Sequence, residues 1–296
     1  MNALKSWRAL IVREFLEHRI PFLYFPLGIL GLFTLSALGS ASFNRVRILD
    51  TVAIGHTLKI FELGYLVVFA VWLAYLTVAL FFYCGDAFSA DRRNNGMLFW
   101  KSMPVTDLKI IAAKYLATLT LFPALIFCIA VVSGLIFYGL LNIAALMLPG
   151  LVPPDPLAAA TSFAHITAFA AVYFVLALLW YAPFVAWVGG LSTIFGRWSL
   201  ALAFVIPGVL AIIENMAFFG QGPTGGYIWG YLSKRWQFGL SSTEYALLAA
   251  SPVPFDARTY VWLLTREIDW GSLGAGLVFA AAVFWLASEY RRRRIT

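Results

Sequence analysis

The chain has 296 residues, 62% of them hydrophobic and only 12% charged, with a mean hydropathy of +0.85 and a formal net charge of +7. A soluble domain carries about 25% charged residues, so this composition excludes a water-soluble globular fold. The apolar runs are continuous rather than alternating, which excludes a transmembrane barrel and predicts an all-α polytopic membrane protein.

In chain order, the first element is a helix over about 3–18, where Leu4, Trp7, Leu10, Ile11 and Phe15 recur at helical spacing while Lys5, Arg13 and Glu17 point elsewhere. That pattern suits a helix lying in the membrane interface. The following apolar run exceeds the roughly 7–15 residues of a signal-peptide core, so the element is expected to be retained. Uncharged runs then occupy Ile20–Asn44, Leu63–Gly85, Tyr115–Pro154, Pro156–Gly196, Trp198–Ile213 and Trp270–Ser288. About 20 residues cross the hydrocarbon as helix. Six spans are predicted, near 20–40, 62–84, 108–139, 163–189, 197–219 and 271–290, in one membrane domain covering 1–296.

Connections follow the proline and glycine content. "LPGLVPPDP" at 148–156 cannot continue a helix, and "GGLSTIFGR" at 189–197 is read as a tight turn. The long segment Gly220–Trp270 contains Ser241-x-x-Glu244 ahead of "YALLAA", a helix-starting pattern, and a second helix is expected near Asp256. These helices either re-enter the outer leaflet, with their backbone ends buried by protein, or form a cap above it.

Lys and Arg accumulate in cytoplasmic loops. With the N-terminus inside, fourteen of the 21 basic residues fall on inner segments and seven on outer ones, so both termini are predicted to be cytoplasmic. The positive charge then faces anionic inner-leaflet lipid, and no nucleic-acid partner is needed. Cys84 and Cys128 lie in apolar runs without metal-ligand spacing, and His18, His56 and His165 are widely scattered. All are read as packing or interface residues, with no metal expected.

The stretch "FSADRRNNGMLFWKSMPVTDLKIIAAKYL" at 88–116 interrupts this lipid-compatible pattern. Gly96 permits a change of direction, "MLFWKSM" makes about two helical turns, Pro104 ends them, and Thr106-Asp107 supplies a start for the next helix. Phe99 and Trp100 either anchor in headgroups or dock into a soluble partner as aromatic anchors.

At this point the chain resembles the permeases of type-2 ATP-binding-cassette exporters. Asp91-Arg92-Arg93, Gly96, "MLFWK", Ser102, Pro104, Thr106 and Lys114 follow, in order, the pattern that family carries between its second and third spans. The resemblance is strong over about 25 residues and architectural elsewhere. It implies a coupling helix that touches a cytosolic ATPase subunit, an amphipathic helix before span one, and a helical hairpin between spans five and six. It assigns ATPase coupling to Arg92, Arg93, Gly96, Phe99, Trp100, Lys101 and Pro104. It also implies two ATPase subunits, a second permease subunit of the same or a related chain, and residence in a bacterial inner membrane. Arg93 and Asn94-Asn95 replace the family's more acidic residues before the glycine, which leaves the ion-pair partners there open.

No G-x-x-x-x-G-K-[ST] loop occurs in the sequence, so nucleotide phosphates are expected to bind to a partner. The chain is read as a transport subunit without catalytic residues or a cofactor of its own, ATP being held by the ATPase. Glu62 and Glu214 stand near the outer ends of spans, where ionisable groups mark a path or a pairing, and both are candidate gate or substrate-path residues. A secondary transporter would carry charged midplane sites, often in paired halves, and Glu214 alone approaches that. An intramembrane enzyme lacks support, since Ser192 and His165 fall toward opposite ends of one span and H-E-x-x-H is missing. The 17% aromatic content fits an amphipathic cargo without identifying it.

Overall fold

A computed structural model describes residues 3–42, 57–93, 107–147, 151–219, 226–236, 238, 251 and 253–294. Among the described residues the regular structure is entirely helical. The helices are α1 (Ala3–Arg19), α2 (Phe25–Ser42), α3 (Thr57–Arg93), α4 (Asp107–Leu116), α5 (Phe122–Met147), α6 (Pro156–Phe195), α7 (Ser199–Glu214), α8 (Tyr227–Trp236), α9 (Ala257–Glu267) and α10 (Trp270–Arg294). Single π-helical turns at Ile20–Tyr24 and Ala117–Leu121 join α1 to α2 and α4 to α5, and a third, Asn215–Phe219, extends α7.

The interfacial helix and the first apolar run are thus continuous, but not straight. His18 leaves helical geometry (φ −116°, ψ 20°), and Pro21 follows without an N–H to donate. The Pro21 carbonyl accepts instead from the Tyr75 hydroxyl on α3, which fixes the elbow against the bundle.

Five helical stretches among the described residues are long and apolar enough to cross a membrane: Trp7–Gly39, Thr57–Asp86, Ala112–Met147, Pro156–Phe218 and Trp270–Tyr290. The fourth contains 63 residues, which would extend about 95 Å if straight, some three times the hydrocarbon thickness. It folds back at a short 3₁₀ turn, Gly196–Trp198, where Gly196 adopts φ +60°, a value that disfavours any side chain. The reversal brings Trp187 Nε1 to the Ala203 carbonyl at 3.3 Å. The turn expected over 189–197 is therefore shorter than the sequence implied, and Gly189 and Gly190 remain helical. Helical hydrogen bonding satisfies the backbone wherever water is absent, and only Gly196 offers the left-handed exit.

Helix α6 is the hub. It packs against α3, α7, α9 and α10, while α3 also contacts α5, and α5 contacts α2. Aromatic rings fill the seams: Tyr65 stacks on Phe163 at 5.0 Å between centroids, and Phe22 on Phe122 at 3.9 Å. Inside the bundle, Trp72 Nε1 donates to Ser133 Oγ, which donates to the Ile129 carbonyl, so that this polar pair is satisfied locally. The outward faces are apolar instead, with Leu32, Phe204, Val209, Val278 and Trp285 exposed to the surroundings. Such surface is incompatible with water and matches lipid, which makes the chain a multi-pass membrane protein.

Candidate coupling site and outer staples

The residues assigned to ATPase coupling occupy the junction between α3 and α4. Arg92 and Arg93 close α3, whereas Gly96, Phe99, Trp100, Lys101 and Pro104 lie outside the described residues, as does the Ser241–Glu244 pattern. What the structure describes are the two stems of that junction and how they are held.

The stems meet α1 through one carboxylate. Glu14 Oε1 lies 3.2 Å from Lys114 Nζ on α4, and Glu14 Oε2 accepts the Tyr83 hydroxyl of α3 at 2.7 Å. Both partners of the ion pair are shielded, Lys114 being 2% exposed. His18 caps the arrangement, its ring 4.7 Å from that of Tyr83 and its Nδ1 3.2 Å from the Glu14 carbonyl. Around it Leu10 packs on Ile110 and Ala113 of α4, and Lys109 Nζ lies 5.5 Å from the centre of the Trp7 ring. The carboxylate–ammonium pair, a charge-assisted contact in a dry setting, is costly to break from one side, about 3–5 kcal/mol.

Sequence reasoning quoted Lys114 as a motif position and missed its partner. The signal was present: Leu10, Glu14 and His18 recur every four residues on the face that Trp7 and Ile11 also occupy, so an acid stood on the buried side of the helix. Ligand atoms of Glu14, Glu17 and His18 also lie within 4.8 Å of one another, a spacing suited to a cation. Glu14 is already bonded to Lys114 and Tyr83, and Glu17 to Arg13 at 2.7 Å, so existing pairs account for that grouping.

At the same end, the Gly85 carbonyl accepts both Ser192 Oγ at 2.8 Å and Ser199 Oγ at 3.0 Å. One acceptor of α3 therefore fastens α6 and α7 across their turn.

Glu62 and Glu214 are held in separate clusters. Glu62 is buried, with Oε1 accepting from Ser162 Oγ at 2.6 Å and from the Phe255 amide at 2.9 Å, and Oε2 paired with Lys59 Nζ at 2.9 Å. Lys59 also donates to the Val253 carbonyl at 2.8 Å. This carboxylate staples α3 to α6 and to the chain that enters α9. Asp256 then caps α9 through the amides of Arg258 and Thr259, so that helix starts where the sequence placed it. Glu214 receives the Tyr227 and Ile228 amides at 3.1 and 2.8 Å. It thus stabilises the N-terminus of α8, where unpaired amides and the helix dipole favour an anion.

Helix α8 escaped sequence analysis because it is short and carries no apolar run. Its last carbonyls, at Arg235 and Trp236, accept from Trp180 Nε1 (2.8 Å) and the Tyr181 hydroxyl (3.1 Å) of α6. Arg235 itself is 1% exposed. Its guanidinium lies 4.6 Å over the Trp180 ring and donates through Nη1 to the Ser272 carbonyl at 2.6 Å. Gly276 makes the room, since a Cβ there would stand 1.9 Å from Nη2. Nε and Nη2 have no acceptor among the described residues. Beside it Lys234 pairs with Asp269, whose carboxyl is held well below the usual range by Lys234 first and then by the Ser272 amide and hydroxyl. The free cysteines, Cys84 buried and Cys128 exposed, take no part in these clusters.

Long apolar helices with lipid-facing surfaces, stapled at both ends by buried polar groups, define a multi-pass helical membrane protein. Residues 52–221, more than half of the chain, match the family described as ABC-2 family transporter protein, and the chain belongs to it. It is therefore the permease subunit of an ABC transporter, a transport component rather than a catalyst, and the family associates with ABC ATPase subunits. No curated protein and no solved structure matches the chain.

Proposed function

We propose that this permease is the membrane half of an ATP-driven exporter in a bacterial inner membrane. In this reading six spans cross the lipid with both termini in the cytoplasm, α6 and α7 being separate spans folded at Gly196. The chain pairs with a second permease subunit, identical or related, and the transport path runs between them. Cytosolic ATPase subunits bind the ATP, and the permease needs no cofactor.

The observation that carries the reading is the attachment of both stems of the 94–106 junction to α1 through Glu14. A junction gripped by an ATPase at Phe99, Trp100 and Lys101, with Arg92 and Arg93 meeting acidic groups on that partner, needs stems that do not splay. Rigid anchoring of α3 and α4 is what such coupling requires. Glu62 and Glu214 belong to the outer gate as staples that set the positions of α8 and α9. Helix α8 meets α6 at Trp180, about 18 Å of helix from Ser192, which is near half the hydrocarbon thickness and favours α8 dipping into the membrane.

The test is the assembled complex carrying Phe99→Ala and Trp100→Ala. Loss of aromatic anchors typically costs 2 kcal/mol or more each, about thirtyfold in affinity, so the ATPase is expected to co-purify poorly with the permease. Undiminished co-purification and ATP hydrolysis would remove the coupling assignment.

A further inference from the structure

We infer that Glu14 is a positioning residue that makes α1 move as one body with the cytoplasmic ends of α3 and α4. The inference rests on the coupling reading above and adds the path by which displacement leaves the junction. Each oxygen of Glu14 serves a different stem, Oε2 taking the Tyr83 hydroxyl of α3 and Oε1 the Lys114 ammonium of α4. Chain connectivity alone joins the stems through residues 94–106, a long route. Through Glu14 they are joined by two short polar contacts inside one protein-lined site.

The chemistry argues for a mechanical rather than a stabilising role. An apolar pair of similar volume generally holds a buried seam as well as an ion pair does, or better. An apolar pair, however, slides. A carboxylate receiving a hydroxyl from one side and an ammonium from the other fixes distance and direction together. The apolar neighbours, Leu10 on Ile110 and Ala113, supply contact area without registry. Beyond Glu14 the chain passes His18 and the π-turn into α2, so a displacement of the stems reaches the first apolar helix through an element whose charged link to both stems is this one side chain.

The experiment uses the full permease assembled with its ATPase subunits in lipid nanodiscs. Spin labels replace Arg8 on α1 and Ile194 at the end of α6, both exposed, in a Cys128→Ser background that retains the buried Cys84. The inter-label distance is measured without nucleotide and with ATP. In the parent, ATP is expected to shift the distance. Glu14→Gln should keep the ATPase bound while reducing the shift by about half or more, and Tyr83→Phe, which removes one arm, should reduce it less. Lys114→Arg, which retains an ion pair, should preserve it. The double variant Glu14→Leu/Lys114→Met, made on Tyr83→Phe so that no buried hydroxyl loses its acceptor, should keep its melting temperature and still lose the shift. If Glu14→Gln shifts as the parent does, or if the apolar double variant does, the clasp is overturned while the coupling reading stands. If the parent itself shows no ATP-dependent change, the coupling reading falls and the clasp with it.

Discussion

Two buried cations, Lys114 and Arg235, sit among the described residues, and their surroundings differ. Lys114 meets a carboxylate, and that carboxylate also takes a hydroxyl, so the charge is matched and the neighbouring polar atoms are used. Arg235 meets one carbonyl and the rings of Trp180 and Tyr231, with the Asp269 carboxylate nearby but not in direct contact, and its Nε and Nη2 have no hydrogen-bond acceptor among the described residues. A buried donor without a partner costs about 1–3 kcal/mol, although the ring quadrupole beneath the guanidinium returns part of it. The α1–α3–α4 seam is thus locked by complementary charge. The α6–α8–α10 seam is instead closed around a cation whose hydrogen-bonding capacity is only partly used.

This contrast can be broken by experiment. Lys114→Ala leaves Glu14 buried with the Tyr83 hydroxyl and, at 3.9 Å, the His18 ring, and should destabilise the purified permease most, by about 3–5 kcal/mol, read as a lower denaturation midpoint in mild detergent. Arg235→Met should act with the opposite sign. It fills the Gly276 notch without unpaired donors and is expected to raise stability by about 1 kcal/mol or more, measured in the same assay. Destabilisation by Arg235→Met as large as that by Lys114→Ala would erase the distinction between the seams.

The smallest effect is expected at an exposed charge. Asp256 has its carboxyl lowered by the Thr259 hydroxyl first, and also by the Thr259 and Arg258 amides. A carboxyl whose folded pKa is depressed contributes stability above its unfolded value, near 4, and that contribution is lost as pH falls through the lower folded value. The melting temperature should therefore be flat in this respect from pH 7 to about 5 and decline below about 4. Asp256→Asn, which still caps the helix, should weaken the decline. An unchanged acid slope in that variant would assign the decline to other groups.

What the sequence made legible follows from what lipid demands. Apolar runs of spanning length revealed the long helices because a continuous, non-alternating run satisfies its backbone polar groups in hydrocarbon as a helix, and Asp256 announced α9 because capping is local chemistry. The Glu14–Lys114 pair was not legible, since its members lie far apart in sequence and only the packing of α1 on α4 unites them. Arg235 was hidden differently: beside Lys234 in a polar segment, it read as an outer-loop charge, and its burial depends on Gly276 leaving a notch in another helix. The candidate carboxylates Glu62 and Glu214 were found by their rarity near apolar runs, but their partners, backbone amides for the most part, leave no trace in a residue pattern.

The π-turn at Ala117–Leu121 sets the azimuth of everything before it. A wide turn holds one residue more than an α-turn, so the side chains on its two flanks are offset by about 100° relative to an uninterrupted helix. Lys114 on one flank faces Glu14 while Phe122 and Ile126 on the other face the interior. The surplus residue acts as a phase shifter between the two flanks. One residue more in a single turn is thus what lets one continuous rod present its ammonium to α1 and its rings to the bundle.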